Sequence, residues 1–130
     1  EVWTEHGPQN SKPIFDAFIK SLQDAGETVV LNRSANADVA VIWSVLWRGR
    51  MENYKRIWDE FRSTGRPVIV LEVGGLRRNE SFKIGINGIN RQADFANQKF
   101  DEKRWPLFKH TLRPWNPTGD IIVAIPNAIY

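Results

Sequence analysis

Cysteine is absent from the 130 residues of this chain, and methionine occurs once, as Met51. Without cysteine there is no disulfide scaffold, no thiol nucleophile and no zinc–thiolate site. The same absence agrees with a reducing compartment, and we expect a cytoplasmic protein. No apolar run approaches the roughly 20 residues that a membrane-spanning helix needs, so the sequence predicts no membrane segment.

Several signatures of ligand chemistry are missing as well. The sequence holds no GxGxxG and no GxxxxGK[ST], which removes the standard dinucleotide fingerprint and the P-loop. It holds no G-x-S-x-G nucleophile motif. No pair of carboxylates and no group of His and acidic residues stands at a spacing typical of a metal site. We therefore expect neither a metal nor a redox cofactor in this chain.

Charge is present, but it is distributed unevenly. The net charge is +3, with three basic and six acidic side chains in residues 1–47 and fifteen basic and nine acidic ones in residues 48–130. This asymmetry is typical of a surface for phosphates or nucleic acid, and equally of solvated helix faces rich in Arg and Lys. Aromatic residues make up 12% of the chain, which supplies enough apolar surface for a folded domain.

Two segments have the apolar spacing of amphipathic helices. The first begins after Ser11, a potential cap, carries Pro13 in its first turn and ends at Gly26. Its apolar stripe consists of Phe15, Phe18, Ile19 and Leu22. The second helix is predicted from about Met51 to Thr64 and is closed by Gly65. Its stripe consists of Met51, Tyr54, Trp58 and Phe61.

Apolar runs rich in Val and Ile predict four strands that alternate with these helices. They are Val2–Thr4, Thr28–Leu31, Val39–Trp43 and Val68–Val73. Strands that are apolar on both faces, alternating with amphipathic helices, indicate a mostly parallel sheet with helices on both sides. The predicted fold class is therefore α/β, as a Rossmann-like three-layer α/β/α domain with a mostly parallel sheet.

The pattern is weaker after residue 76. The elements predicted there are a short strand at Phe82–Ile86, a turn at Asn87–Asn90, helical turns at Asp94–Phe100 and Trp105–Leu112, and a last strand at Asp120–Ile125. We expect residues 1–130 to form a single domain. Because the chain does not begin with Met and ends directly after an apolar run, we also expect it to be a fragment of a longer protein, with a processed product as the alternative.

Ligands of open parallel sheets bind beyond the carboxyl ends of the strands, where loops lead into helices. Three predicted loops leave that edge: Glu5–Asn10, Ser44–Arg50 and Glu72–Arg78. His6 is a candidate general base because imidazole titrates near neutral pH, although a lone histidine in a loop is more often structural or merely exposed. Glu72 is a second catalytic candidate, since a carboxylate at the end of a buried strand needs a partner or a function.

The other candidates are ligand-binding residues of the same loops: Gly7, Ser44, Trp47, Arg48, Gly74 and Gly75. The glycines let backbone N–H groups approach a phosphate or a sugar hydroxyl, or serve only to turn tight corners. Trp47 offers a stacking surface or a core side chain. Arg48 can hold an anion through two parallel bonds, or pair with Glu72. We expect one cleft to be surrounded by His6, Ser44, Arg48, Glu72 and Gly74.

Three stretches also carry a family resemblance: Ala37–Arg50, Gly65–Gly75 and the run that starts at Gly119. In these stretches and in the order of its elements, the chain resembles the N-terminal half of glycosyltransferase-like proteins of phages and marine microbes, which have the two-domain GT-B architecture. The resemblance implies an acceptor-binding domain, with a sugar, a nucleotide or a nucleic acid as acceptor. It also implies that the nucleotide-sugar donor binds a C-terminal domain missing from this chain, so the isolated chain is expected to be inactive.

A second interpretation involves no catalysis. In it the chain is a flavodoxin-like α/β module whose basic second half contacts nucleic acid or a protein partner. The residues that follow Tyr130 separate the two interpretations. A further β-α-β series with a phosphate-binding loop favours the glycosyltransferase, whereas a stop codon favours the module.

Overall fold

The structure is a computed structural model that describes residues 1–32, 36–75 and 80–94, together with scattered positions between 103 and 118. The chain divides into two compact units, Glu1–Lys99 and Phe100–Tyr130, and all the elements named below belong to the first. The helical turns predicted at Asp94–Phe100 and Trp105–Leu112 lie mostly outside the described residues. The strand predicted at Asp120–Ile125 lies wholly outside them.

The described elements alternate between helix and strand, which confirms the α/β class. They are α1 (Lys12–Asp24), β1 (Ala40–Trp43), α2 (Glu52–Ser63), β2 (Val68–Val73) and β3 (Phe82–Ile86). Short 3-10 turns precede the two helices, at Gln9–Ser11 and Gly49–Met51. Both predicted helices and the short strand predicted at Phe82–Ile86 are confirmed.

Helix α1 follows the predicted pattern at its ends, with one difference in its capping. Gly26 lies just beyond the helix with φ +86°, the left-handed conformation that glycine adopts without steric cost. Ser11 stands at the cap position, but its hydroxyl donates a hydrogen bond to the Pro8 carbonyl (2.6 Å) and caps no helix N–H. The reason is that Ser11 already has helical backbone angles, because the 3-10 turn runs directly into α1, whereas a capping side chain needs an extended backbone.

The three strands form a mixed sheet in the order β1-β2-β3. Strand β1 is parallel to β2, with Ala40 opposite Val68, and α2 provides the crossover that parallel neighbours need. Strand β3 is antiparallel to β2, with Ile69 opposite Ile86. The connection between Val73 and β3 is too short for a parallel crossover, so the chain returns in the opposite direction. A mostly parallel sheet is therefore not confirmed.

Two of the predicted strands, Val2–Thr4 and Thr28–Leu31, are reduced to single-residue pairings. Val2 makes isolated parallel bridges to Leu31 on one side and to Val41 on the other. A strand needs consecutive ladder bonds, and here the pairing stops after one residue on each side. Even so, the order in space is the Leu31 segment, then Val2, then β1.

The hydrophobic core packs both helices against the sheet. Phe15 of α1 is 1% exposed and its ring lies 5.9 Å from that of Trp43 in β1. On α2, the predicted stripe omitted Ile57, which is buried, whereas Met51 and Trp58 are half-buried at its margin. The side chains that are essentially inaccessible to solvent include Val2, Phe15, Ile42, Tyr54, Phe61 and Leu71.

Candidate functional site

A cleft of about 210 Å³ opens beyond the carboxyl ends of β1 and β2. The loop that leads into α1, the end of β1 with the loop that follows it, and the end of β2 all contribute to its lining. The lining residues are Pro8, Asn10, Trp43, Ser44, Leu46, Arg50, Met51, Glu72 and Val73. We call this space the carboxyl-edge cleft.

The topology explains why a cleft forms at this edge. After Val2 the chain runs through α1 to Leu31, which pairs with Val2 on one side. The strand that follows, β1, pairs with Val2 on the opposite side. The direction of strand addition therefore reverses between Val2 and β1. At such a switch point the loops that follow the two strands diverge, and the crevice between them is where open α/β sheets bind ligands.

Ser44 forms part of the cleft directly after β1. It is 1% exposed and has a left-handed backbone, with φ +62°, which residues other than glycine adopt infrequently. Its backbone N–H donates to the carbonyl of Leu71 in β2 (2.8 Å), so the residue is fixed to the neighbouring strand. Its Oγ accepts a hydrogen bond from the Leu46 N–H (3.2 Å), which tightens the first turn of the loop.

Glu72 contributes a carboxylate from the end of β2. The residue is half-buried, and its Oε1 accepts a hydrogen bond from the N–H of Val73 (2.8 Å). Lys83 of β3 is its cross-strand neighbour, yet no ion pair joins Glu72 to any described residue. The pairing with Arg48 considered from the sequence is therefore not formed, and Arg77, which follows β2 in the sequence, lies outside the described residues.

The arginine that lines the cleft is Arg50, not the predicted Arg48. Arg48 is exposed and stands immediately before the 3-10 turn, where its N–H donates to the Leu46 carbonyl (2.8 Å). Gly49 has φ +57° and so turns the chain between the two arginines. Both arginines are exposed, and of the two Arg50 contributes to the cleft lining.

His6 does not line the cleft, although the residues that follow it do. Its ring meets the edge of Tyr54 at a centroid distance of 5.7 Å, and its Nδ1 lies 3.5 Å from the side-chain amide of Asn53. These contacts join the first loop to α2. The contacts agree with the structural role that the sequence offered as the alternative for His6.

Burial gives Tyr54 a testable pH dependence. Its hydroxyl donates to the Trp3 carbonyl (3.0 Å), and desolvation raises the pKa of Tyr54 above its ordinary value near 10. The neutral phenol is favoured by folding, so its contribution is fully present below about pH 10 and is lost as the pH rises further.

We therefore expect Tyr54→Phe to lower the unfolding free energy by about 1 kcal/mol at pH 7, for the lost hydrogen bond. The gap between the variant and the wild type should narrow, or reverse, at pH values above about 10. Urea unfolding of the wild type and the variant from pH 7 to above about pH 10 measures this difference in unfolding free energy. A gap that stays constant with pH would show that the phenol titrates normally in the folded chain.

The predicted glycines differ in what surrounds them. A side chain at Gly7 would collide with the Ser11 hydroxyl, and one at Gly74 would meet the backbone of Ser81 at 2.6–2.7 Å. The N–H of Gly74 already donates to the Ser81 carbonyl (2.9 Å) and is not available to a phosphate. Gly75 faces open space and is exposed. Close packing explains Gly7 and Gly74 without a ligand.

Trp47 packs against α2 and does not line the cleft. Its ring lies 6.1 Å from that of Trp58, and both residues are half-buried. Of the five residues expected around one cleft, the structure places Ser44 and Glu72 there. It leaves His6, Arg48 and Gly74 outside the lining.

Two polar lining residues were not among the predicted site residues: Asn10 was not singled out from the sequence, and Arg50 was considered there only as part of a possible stacking-and-charge cluster with Trp47 and Arg48. Both belong to loops that the sequence assigned to the ligand edge, so their location near the cleft was predictable. The orientation of the two residues was not predictable, because it depends on the two 3-10 turns at Gln9–Ser11 and Gly49–Met51. Short turns of this kind leave no apolar periodicity.

Two larger hollows lie elsewhere in the described residues. One, of about 430 Å³, lies where Asp38 and Val39 lead into β1, at the amino edge of the sheet. The other, of about 550 Å³, runs along the start of α1, and its two charged side chains, Lys12 and Asp16, already pair with each other at 2.7 Å. The carboxyl-edge cleft differs from both in its position beyond the carboxyl ends of parallel strands.

Two further properties can be stated for the described part of the chain. It contains no group of three or more His, Asp or Glu residues close enough together to hold a metal ion. None of its helices has both the length and the apolar character needed to cross a bilayer.

Comparison with protein-family models, with curated proteins and with solved structures finds no match for this chain.

Proposed function

We propose that this chain is a Rossmann-like ligand-binding domain whose carboxyl-edge cleft holds the acceptor of a nucleotide-sugar-dependent glycosyltransferase. The observation that carries the proposal is the position of the cleft at the topological switch point, where α/β sheets bind their ligands. The parallel pairings of Val2 with both neighbours support a Rossmann-like three-layer arrangement, because they continue the parallel part of the sheet beyond β1.

The chemistry of the lining favours a hydroxyl-bearing ligand. Arg50 supplies only donors, Glu72 supplies only acceptors, and the Asn10 amide supplies both. One cation and one carboxylate leave the cleft without net charge, so it offers little attraction to a phosphate group. Hydroxyl groups both donate and accept, which matches such a mixed lining.

The size of the cleft agrees with a small acceptor group. At about 210 Å³ it is smaller than the roughly 300–1,000 Å³ of pockets that enclose a drug-sized molecule. A single sugar ring, or the terminal ring of a longer acceptor, suits this volume. The donor nucleotide-sugar is assigned to a separate C-terminal domain, so the proposal gives the isolated chain no transfer activity.

The second candidate is a non-catalytic flavodoxin-like module that binds nucleic acid or a protein. The basic balance of residues 48–130 and the exposure of Arg48 favour it. A nucleic-acid complex would make many phosphate contacts, and its affinity would fall steeply with salt. Sugar binding in the cleft would be nearly independent of salt, which separates the two candidates in solution.

The test is an NMR titration of the ¹⁵N-labelled chain with D-glucose, D-galactose and D-mannose, with inorganic phosphate and a short oligonucleotide as counter-probes. We expect Glu72→Gln to weaken binding of the preferred sugar about tenfold or more, because a hydrogen bond to a charged group is lost. The matched control is Glu27→Gln, an exposed carboxylate beside the hollow at the amino edge, which should bind as the wild type does. Salt-dependent oligonucleotide binding without any sugar binding would contradict the proposal.

A further inference from the structure

Ser44 combines properties that its packing role alone does not require. Glycine is the usual residue at a left-handed position such as its φ of +62°, and a serine there is disfavoured. The residue is 1% exposed and belongs to the lining of the carboxyl-edge cleft. Residues held in such sparsely populated backbone conformations cluster at active sites and ligand clamps.

The hydrogen bonds of Ser44 leave its hydroxyl hydrogen without an acceptor among the described residues. Its backbone N–H is taken by the Leu71 carbonyl, and its Oγ accepts from the Leu46 N–H. A serine hydroxyl can also donate one hydrogen bond. Within the part of the chain that the structure describes, no acceptor for that hydrogen is found, so the donor is available to a molecule in the cleft.

A matching acceptor lies on the neighbouring strand. Trp43 is opposite Leu71 in the parallel register, so the next residues along, Ser44 and Glu72, are neighbours at the ends of β1 and β2. One carboxylate oxygen of Glu72 is held by the Val73 N–H, which orients the group. The cleft lining thus includes a hydroxyl donor at the end of β1 and an oriented carboxylate acceptor at the end of the neighbouring strand β2.

We infer that Ser44 is a specificity-determining residue that, with Glu72, recognises two adjacent hydroxyl groups of the ligand. Ser44 donates to the oxygen of one hydroxyl, and Glu72 accepts the hydrogen of the next. A vicinal diol on a sugar ring satisfies both groups, whereas the charged oxygens of a phosphate would face the Glu72 carboxylate. This inference rests on the proposed function and narrows its ligand to neutral vicinal diols.

Two substitutions of Ser44 separate recognition from backbone strain. Ser44→Ala removes the hydroxyl and keeps a side chain in the left-handed conformation, whereas Ser44→Gly removes the hydroxyl and the steric conflict together. We expect Ser44→Gly to be more stable to urea than Ser44→Ala. We expect both variants to bind methyl α-D-glucopyranoside about 2- to 10-fold more weakly than the wild type, by the same factor, because each loses one neutral hydrogen bond.

The measurements are an NMR titration with that glycoside, a parallel titration with inorganic phosphate, and urea unfolding of all three proteins. Wild-type affinity for the glycoside in both variants would overturn the inference and leave the cleft as a sugar site. Binding of phosphate in place of the glycoside, with shifts at Ser44, would also overturn it and leave a ligand site of another class. Absence of any glycoside or phosphate binding in the wild type would overturn both the inference and the proposed function.

Discussion

Replacing Phe15 with alanine is expected to lower the free energy of unfolding by about 3–5 kcal/mol, the range for removing a large aromatic side chain from a core. The side chain is 1% exposed, and its ring packs against Trp43, so it fixes α1 to β1. By fixing α1, Phe15 also fixes the loop that leads into this helix and carries Asn10, one of the cleft residues. Urea unfolding followed by tryptophan fluorescence measures the change.

The matched control is Phe82→Ala in β3, where the same side chain is 43% exposed. It should cost about 1–2 kcal/mol, clearly less than Phe15→Ala, because only part of the Phe82 side chain is buried. Equal losses for the two variants would contradict the assignment of Phe15 to the core and of Phe82 to the surface. The slope of the denaturant dependence should stay unchanged in both, since the surface exposed on unfolding is nearly the same.

Gly74→Ala is expected to destabilise the chain by about 1–3 kcal/mol, the usual cost of forcing an extra group into a packed site. The added methyl group would collide with the Ser81 hydroxyl and would lie 2.6 Å from the Ser81 carbonyl oxygen; the hydroxyl can turn away, but the backbone cannot. Thermal unfolding followed by circular dichroism, supported by urea unfolding, gives the change in stability.

Gly75→Ala serves as the control in the adjacent position. Its methyl group would face open space, so its effect should stay within about 0.5 kcal/mol of zero. A neutral Gly74→Ala would show that the close approach of Ser81 is absent in solution. It would also return Gly74 to the set of glycines available for ligand contact.

Local periodicity was enough to predict the helices and the central strands. The α1 and α2 stripes and the Val- and Ile-rich runs at β1 and β2 each bury a face on their own, so their patterns survive in the tertiary structure. The pairing of Val2 and Leu31 over single residues was not predictable in this way. Their runs look like strands, but how long two segments stay paired depends on the loops that join them.

The candidate site was predictable in its location but not in all its residues. Parallel strands place their carboxyl ends on one edge, so the loops after Val2, β1 and β2 could be assigned from topology alone. The choice of Arg50 over Arg48 depends on the left-handed Gly49, and the role of Gly74 depends on a contact with Ser81 across a turn. Neither follows from the spacing of residue types. The same is true of the backbone of Ser44, because nothing in a serine predicts a left-handed conformation.

The most direct test of the carboxyl-edge cleft follows the side-chain Nε–H resonances of Arg50 and Arg48 during the sugar titration of the intact chain. Arg50 lines the cleft and Arg48 does not, although only Gly49 separates them. We expect the Arg50 signal to shift with the same saturation curve as the backbone amides of Asn10 and Glu72, while the Arg48 signal stays in place. Shifts at Arg48 with Arg50 and Glu72 unmoved would contradict the assignment of the binding site to this cleft.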